Sequence, residues 1–174
     1  MRIKHWLKAN RGFVLFLCCF GFFRLAVADW NPIPSGSMRP TLLEGDVVLV
    51  DRLAYDFKLP LTDTAVFHTG TPQRGDVVTF SSPKDGTRLI KRLVAVPGDV
   101  VELRDGLLTI NGERAAYDGV HSAREPLDGG AATVALQATE RLAGNARTVQ
   151  FLPEVSALRN WGPVVVPEDQ YFFL

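Results

Sequence analysis

The unit Gly-Asp-Val-Val occurs three times in this chain of 174 residues, beginning at positions 45, 75 and 98. Each copy places a Gly-Asp pair, which favours a tight turn, directly before a β-branched run, which favours a strand. The intervals of 30 and 23 residues are too irregular for a stacked repeat protein. After residue 31 no segment combines a long helical period with helix caps. The sequence therefore predicts a mostly β fold, with further strands at 89–96, 107–110, 164–166 and 171–174.

The charge is unevenly distributed, although 19 basic and 19 acidic residues give a formal net charge of zero. Residues 1–11 contain four basic residues and no acidic one, so the remainder, with 15 basic and 19 acidic residues, has a net charge of −4. This balance argues against a general nucleic-acid-binding protein. The two cysteines are adjacent, which argues against a disulfide framework and a four-ligand zinc site. We expect neither a metal nor another cofactor.

Residues 13–28 are apolar except for Arg24, and their length is near the lower limit for a helix that crosses a hydrocarbon core of roughly 30 Å. Two interpretations are open. The segment is either a membrane anchor or a cleaved signal peptide, for which Ala26-Val27-Ala28 would be the cleavage site. In both cases the basic residues before it remain in the cytoplasm and the rest of the chain is exported.

The chain divides into five predicted parts. Residues 1–12 form a basic cytoplasmic tail, 13–30 the apolar segment, which is one transmembrane helix if it is retained as an anchor, and 31–112 a β core. Residues 113–162 have weaker patterning and contain Asp128-Gly129-Gly130, so they are expected to form a peripheral inserted lobe of loops with a small hairpin. Residues 163–174 return to the core as a strand.

Two short segments contain residues that suit chemistry. Between Pro34 and Pro40 the chain places two hydroxyls around one glycine, which indicates either a linker or a defined turn that exposes Ser37. Lys91 is the single polar member of an otherwise apolar row on one face of its predicted strand. It is either an edge lysine that extends to solvent or a desolvated general base for a hydroxyl nucleophile. The exported histidines, His68 and His121, give no local support for a Ser-His-Asp triad.

Four ordered blocks, at 33–42, 44–50, 74–80 and 90–99, together resemble the type I signal peptidases, which are membrane-bound serine proteases with a Ser/Lys dyad. The first block, Ile33-Pro34-Ser35-Gly36-Ser37-Met38-Arg39-Pro40-Thr41-Leu42, is similar to the segment that contains the nucleophile of that family. The last block is similar to the segment that contains the lysine. A weaker similarity continues at 166–172. The resemblance implies a signal-peptidase-like catalytic β-fold over 31–112.

The resemblance also implies a mechanism. Ser37 attacks the scissile carbonyl, Lys91 removes its proton, and the backbone N–H of Ser37 and the hydroxyl of Ser35 hold the oxyanion. The substrates are preproteins cut after Ala-x-Ala, without a cofactor. The implied substrate-binding residues are Ile33, Pro34, Met38, Leu42 and Ile90.

In this family the N-terminal segment is retained, so the resemblance favours the anchor over cleavage. It implies a single-pass protein in contact with lipid in the bacterial cytoplasmic (inner) membrane, with its N-terminus in the cytoplasm and its catalytic domain on the outer, periplasmic face. In relatives a Gly-Asp-rich segment that orients the lysine follows the Tyr-Phe strand. Because this sequence ends at Leu174, we expect the final strands and that segment to belong to a longer enzyme.

Two other functions fit the same residues. One is a specialised relative that matures a pilin or a secreted subunit with the same dyad. The other is a non-catalytic, membrane-tethered β domain that binds peptides, in which Ser37 belongs to a linker and Lys91 is an edge charge.

Overall fold

The computed structural model describes residues 2–58, 64–126 and 132–174, and this part of the chain contains two α-helices and fourteen strands. The chain divides into two compact units. The first combines Met1–Ile33 with Gly45–Pro72, and the second combines Pro34–Glu44 with Gln73–Leu174. The predominance of strands confirms the mostly β fold predicted from the recurring Gly-Asp turns.

Two helices begin the first unit: α1 (Arg2–Ala9) and α2 (Arg11–Ala26). α2 has 16 residues, and most of its apolar side chains are exposed. Neither helix in the described part of the chain has both the length and the apolar character needed to cross a membrane. The helix expected over residues 13–30 therefore differs from the observed one, which ends at Ala26 before a strand that begins at Ala28.

The first unit also contains two antiparallel strand pairs. β1 (Ala28–Pro32) pairs with β2 (Val47–Asp51). Residues 28–32 therefore make backbone hydrogen bonds to a neighbouring strand instead of continuing the helix. The first Gly-Asp turn precedes β2 as predicted, and Gly45 has a φ of 89°, which is favourable only for glycine. β3 (Asp56–Lys58) pairs with β4 (Ala65–His68), where the rings of Phe57 and Phe67 stack.

The second unit consists of antiparallel sheets. Its strands are β5 (Val77–Ser81), β6 (Arg88–Ala95), β7 (Val100–Arg104), β8 (Leu107–Ile110), β9 (Glu113–Arg114), β10 (Ala116–Pro126), β11 (Ala132–Leu142), β12 (Asn145–Phe151), β13 (Trp161–Val165) and β14 (Phe172–Phe173). The sheet orders are β14-β6-β5, β13-β7-β8-β9 and β10-β11-β12. The strands expected at 89–96 and 107–110 are confirmed as β6 and β8, and those expected near the end of the chain as β13 and β14.

The core of the second unit contains buried side chains from β6, β7 and β8, which include Val94, Ala95, Val101, Leu108 and Ile110. The cluster also contains two residues from later in the chain, Leu142 on β11 and Val166 directly after β13. Packing on these side chains fixes β6, the strand that contains Lys91, at the centre of its sheet.

Asp99, from the third Gly-Asp turn, organises the connection between β6 and β7. Its carboxylate is buried and accepts hydrogen bonds from the Arg74 guanidinium, the Val96 backbone N–H and the Asn111 amide. Burial by itself would raise the carboxyl pKa, but these hydrogen bonds outweigh it and lower the pKa of Asp99. The turn is therefore fixed by a charged group that remains ionised at neutral pH.

Residues 113–162 are more regular than the loops and small hairpin that were predicted. β10 and β11 have 11 residues each and form, with β12, a three-stranded antiparallel sheet. A register shift between Asp118 and His121 interrupts the β10–β11 pairing. The buried positions of β11 include Thr133, Ala135 and Glu140. Because these side chains are small or polar, the sequence lacks the apolar alternation typical of a strand. The predicted Asp128-Gly129-Gly130 loop lies outside the described residues.

Candidate active site

Ser37 lies in a single 3-10 turn, Gly36–Met38, within the second unit. Ser35 precedes the turn in an extended conformation, and the Arg39 backbone N–H donates to the Gly36 carbonyl at 3.0 Å. Ser35 and Ser37 are exposed, whereas Met38 is buried. The segment between the prolines is thus a defined turn that exposes a serine, which excludes the flexible-linker interpretation.

Lys91 lies on β6, opposite Val78 of β5, and the Gly36–Met38 turn lies against the same strand. The lysine is about half-buried, and this burial lowers the pKa of its ammonium group. Within residues 2–58, 64–126 and 132–174, its Nζ makes no hydrogen bond and no ion pair. An amine with these surroundings is more readily neutral than a solvated lysine, as a general base must be.

Two aromatic rings cover the Lys91 face of β6. Phe80 lies on β5 opposite Leu89, and Phe173 lies on β14 opposite Leu93. Directly opposed residues share a face of a sheet, so both rings are on the face of Lys91. They stack with centroids 4.5 Å apart, although their strands flank β6 on opposite sides. This contact therefore crosses the face of β6 on which Lys91 lies.

Sequence reasoning missed Phe80 and Phe173. The aromatic residues are visible in the sequence, but the pairing of β14 with β6 joins positions about 80 residues apart. No local pattern fixes such a register.

The segment Pro34–Glu44 is attached to neighbouring strands by two guanidinium groups. Arg39 Nη1 donates to Glu125 Oε1 on β10 at 2.6 Å, and Arg39 Nε donates to Glu44 Oε2 at 2.8 Å. Arg92 Nη1 donates to the Gly75 carbonyl at 2.7 Å, and Arg92 Nη2 reaches Thr41 Oγ1 at 3.2 Å. Arg92 directly follows Lys91, so one of these attachments comes from the lysine strand itself.

Hydrogen-bond donors for an oxyanion lie beside Ser37. The Ser35 hydroxyl is 3.5 Å from Ser37 Oγ, and its proton can rotate toward an oxyanion that forms beside Ser37. The Ser37 backbone N–H lies on the same turn. Two donors around an exposed hydroxyl suit the stabilisation of a tetrahedral intermediate.

The predicted substrate-binding residues are divided between the two units. Met38, Leu42 and Ile90 lie in the second unit, where the Leu42 N–H donates to the Met38 carbonyl at 3.1 Å and Ile90 precedes Lys91. Pro34 is exposed at the start of the serine segment, and Ile33 is buried in the first unit. A cavity of about 210 Å³ opens beside Ser37 and Met38 and is also lined by Thr41, Arg92 and Leu174. The role of these residues in substrate binding remains a prediction.

In the part of the chain that the structure describes, no three His, Cys, Asp or Glu side chains are grouped closely enough to hold an ion. Hydroxyls, backbone amides and the guanidinium groups of Arg39 and Arg92 lie near Ser37, and Lys91 lies on the strand against which the Ser37 turn packs. An exposed serine turn packed on a β-strand that contains a desolvated lysine has the residue types of Ser/Lys acyl-transfer enzymes.

Comparison with known proteins identifies the family to which this chain belongs. The family described as "Signal peptidase, peptidase S26" matches residues 3–174, so the chain belongs to the signal peptidase family. Proteins named "Signal peptidase I" are similar to this chain. The one from Pseudomonas fluorescens is 51% identical over 86 residues, which are 48% of this chain and 30% of that protein.

Two further relatives have the same printed name. The Pseudomonas aeruginosa protein is 49% identical over 86 residues, covering 48% of this chain and 30% of the relative. The Rickettsia typhi protein is 30% identical over 185 aligned positions, covering 93% of this chain and 66% of the relative. The matches thus span less than a third of the two Pseudomonas proteins.

Proposed function

We propose that this protein is a serine endopeptidase that removes N-terminal signal peptides from exported preproteins. The observation that supports this proposal best is the position of the exposed Ser37 turn against the strand of Lys91, a half-buried lysine whose pKa is lowered by burial. A serine hydroxyl within reach of a lysine with a lowered pKa can act as a nucleophile with that lysine as its base. Membership in the signal peptidase family supports the same activity and substrate class.

The proposed mechanism uses Lys91 twice. Neutral Lys91 takes the proton of Ser37 while Oγ bonds to the scissile carbonyl carbon, and the oxyanion accepts hydrogen bonds from the Ser37 N–H and the Ser35 hydroxyl. Collapse of this intermediate breaks the C–N bond, and the Lys91 ammonium protonates the leaving amine. Lys91 then deprotonates a water molecule, which hydrolyses the acyl-enzyme and regenerates free Ser37.

The proposed substrate sequence is Ala-x-Ala before the cut. The buried Met38 and the half-buried Leu42 and Ile90 are apolar groups near the proposed dyad, and they suit small apolar side chains of a substrate. The family resemblance also assigns Ile33 and Pro34 to substrate binding.

The proposal is tested by incubating the purified full chain with a preprotein in detergent and following cleavage. We expect one product whose new N-terminus follows the Ala-x-Ala motif, because the pocket admits a small side chain before the scissile bond. Replacing the alanine before the cut with phenylalanine should lower the rate at least tenfold. The reason is a steric mismatch in the pocket, which raises the activation free energy by on the order of a few kcal/mol. N-terminal sequencing and initial rates are the measurements.

The matched control substrate has phenylalanine at the intervening x position, which the motif leaves unrestricted. Binding of the preprotein without cleavage would contradict the proposal and support a peptide-binding domain. Cleavage of a pilin-type substrate alone would support the specialised relative.

We also propose that residues 13–30 attach the protein to the bacterial cytoplasmic membrane, with the basic tail in the cytoplasm and the catalytic unit on the outer face. The exposed apolar side chains of α2 support attachment to lipid, and the basic residues before it support this orientation.

Serine substitutions in α2 test the attachment. Phe16, Phe20 and Phe23 are 60%, 47% and 48% exposed, and each contributes roughly 1.5–3 kcal/mol when buried in lipid. The triple variant should therefore release at least tenfold more protein into the soluble fraction after carbonate extraction. Val120→Ser with Val134→Ser, at exposed positions of β10 and β11, is the control and should remain in the membrane pellet. Complete recovery of the wild-type chain as soluble protein would contradict the proposal.

A further inference from the structure

Arg39 is unusual among the residues near Ser37, because its guanidinium joins two carboxylates from distant parts of the chain. Its Nε and Nη2 donate to Glu44 Oε2, at the end of the serine segment, and its Nη1 donates to Glu125 Oε1 on β10. The side chains of Arg39 and Glu125 are 18% and 8% exposed. The Arg39–Glu125 half of this bridge is shielded from solvent, whereas the Glu44 side chain is 38% exposed. Opening the shielded half would leave a buried carboxylate without a counter-ion, so it is held firmly.

The turn that contains Ser37 is in direct contact with this bridge. A Cβ atom at Gly36 would lie 2.7 Å from Glu44 Oε1 and 3.0 Å from Arg39 Nε. The backbone immediately before Ser37 therefore lies on the Arg39–Glu44 pair, and the position of the pair limits the position of the turn.

We propose that Arg39 is a positioning residue that fixes Ser37 relative to Lys91 by bridging Glu44 and Glu125. Glu44 closes the segment locally, and Glu125 attaches it to the long β10–β11 pair. Arg92 holds the same segment through Thr41 from the lysine strand. The role in catalysis rests on the proposed peptidase function, whereas the control of the turn does not.

Arginine is the side chain that this role requires. Its planar fork presents donors to two carboxylates simultaneously, whereas a lysine is a single point charge on a flexible stem. Arg39 also lowers the pKa of Glu44, which keeps that carboxylate ionised well into acidic solution. The substitution Arg39→Lys should therefore retain the charge but only part of the geometry.

The test compares Arg39→Met, Arg39→Lys, Glu125→Gln and the double variant Arg39→Met with Glu125→Gln. A displacement of about 1 Å in a catalytic group lowers a rate by as much as about 10²-fold, so we expect kcat of Arg39→Met to fall roughly 10- to 100-fold. The kcat of Arg39→Lys should lie between that of Arg39→Met and that of the wild type. The double variant should recover part of the loss, because it removes the buried carboxylate that Arg39→Met leaves unpaired.

Two readouts separate positioning from a general loss of stability. The pH at which cleavage is half-maximal should not change in Arg39→Met, because the groups that cover Lys91 are untouched. Amide hydrogen exchange within Pro34–Glu44 should accelerate, whereas exchange in β6 should not. The control variant is Arg141→Met, which removes an exposed ion pair with Asp118 on the same sheet and should leave kcat and exchange at wild-type values.

Wild-type kcat in Arg39→Met, or unchanged exchange within Pro34–Glu44, would overturn the proposal. A wild-type chain that cleaves no preprotein would overturn the proposed peptidase function instead. Hydrogen exchange needs no substrate, so the position of the turn would still be decided by that measurement.

Discussion

Lys91→Met and Ser37→Ala are each expected to lower preprotein cleavage by about 10³-fold or more while the protein remains folded. Methionine matches the length of the lysine stem and cannot accept the proton of Ser37, and alanine removes the nucleophilic oxygen. The two losses should not add in the double variant, because each removes a member of the same catalytic unit. Single-turnover rates on a preprotein are the measurement.

Lys91→Met should also be as stable as wild type at pH 7, or more stable. Burial lowers the pKa of Lys91 in the folded protein below its unfolded value, so protonated Lys91 reduces stability at low pH. This effect should fade as pH rises from the folded pKa toward the unfolded value. Denaturant unfolding at several pH values should therefore show the difference between the variant and wild type narrowing toward about pH 10.

The pH profile of the wild-type enzyme provides a second check on the same residue. The rate should rise with pH through an apparent pKa below the ordinary value for lysine, since only neutral Lys91 can act as the base. Lys91→Arg is the control, because it retains a cation at this position and cannot be neutral near pH 7. Wild-type rates in Lys91→Met or Lys91→Arg would contradict the dyad.

The sequence predicts the parts of the fold that depend on local patterns. A Gly-Asp turn before a β-branched run is a local signal, and the strands after Gly45, Gly75 and Gly98 follow it. Lys91 is conspicuous for the same reason, because it is the single charge in the apolar row on one face of its strand. The turn at Ser37 is restricted by flanking prolines and one glycine, so the sequence contains its main constraint.

The remaining features depend on contacts between residues far apart in the chain. The Phe80–Phe173 stack and the Arg39–Glu125 bridge each require a particular arrangement of strands that no local pattern specifies. The sheet of residues 116–151 was underestimated for a related reason. Its buried face includes the charged Glu140, which in the sequence is indistinguishable from an exposed residue until its partners are known.

The partners of Glu140 are Arg147 and Tyr117, and removing Arg147 should lower the stability of the fold substantially. Glu140 lies opposite Arg147 in the β11–β12 pairing and accepts hydrogen bonds from the guanidinium at 2.5 Å and from the Tyr117 hydroxyl at 2.8 Å. The side chains of Glu140 and Arg147 are 6% and 15% exposed. Burial and the charge of Glu140 also raise the pKa of Tyr117, so this tyrosine remains a hydrogen-bond donor at every physiological pH.

Arg147→Met should reduce the free energy of unfolding by about 3 kcal/mol or somewhat more, because it leaves the Glu140 carboxylate buried without its cation. Relief of the repulsion between Arg147 and the half-buried Arg92 offsets only a small part of this loss. Adding Glu140→Gln should recover most of the stability, since the amide oxygen still accepts from Tyr117 and no charge remains buried. Urea unfolding of the full chain measures both changes.

Arg141→Met is the matched control, because Arg141 neighbours Glu140 on β11 and pairs with Asp118 where both side chains are 63% exposed. Arg141→Met should lower the free energy of unfolding by about 0.5 kcal/mol or less, as is usual for the loss of a solvated ion pair. Equal losses for Arg147→Met and Arg141→Met would contradict a buried ion pair at Glu140. A double variant no more stable than Arg147→Met would show instead that the packing of the arginine stem, rather than its charge, holds β12 against β11.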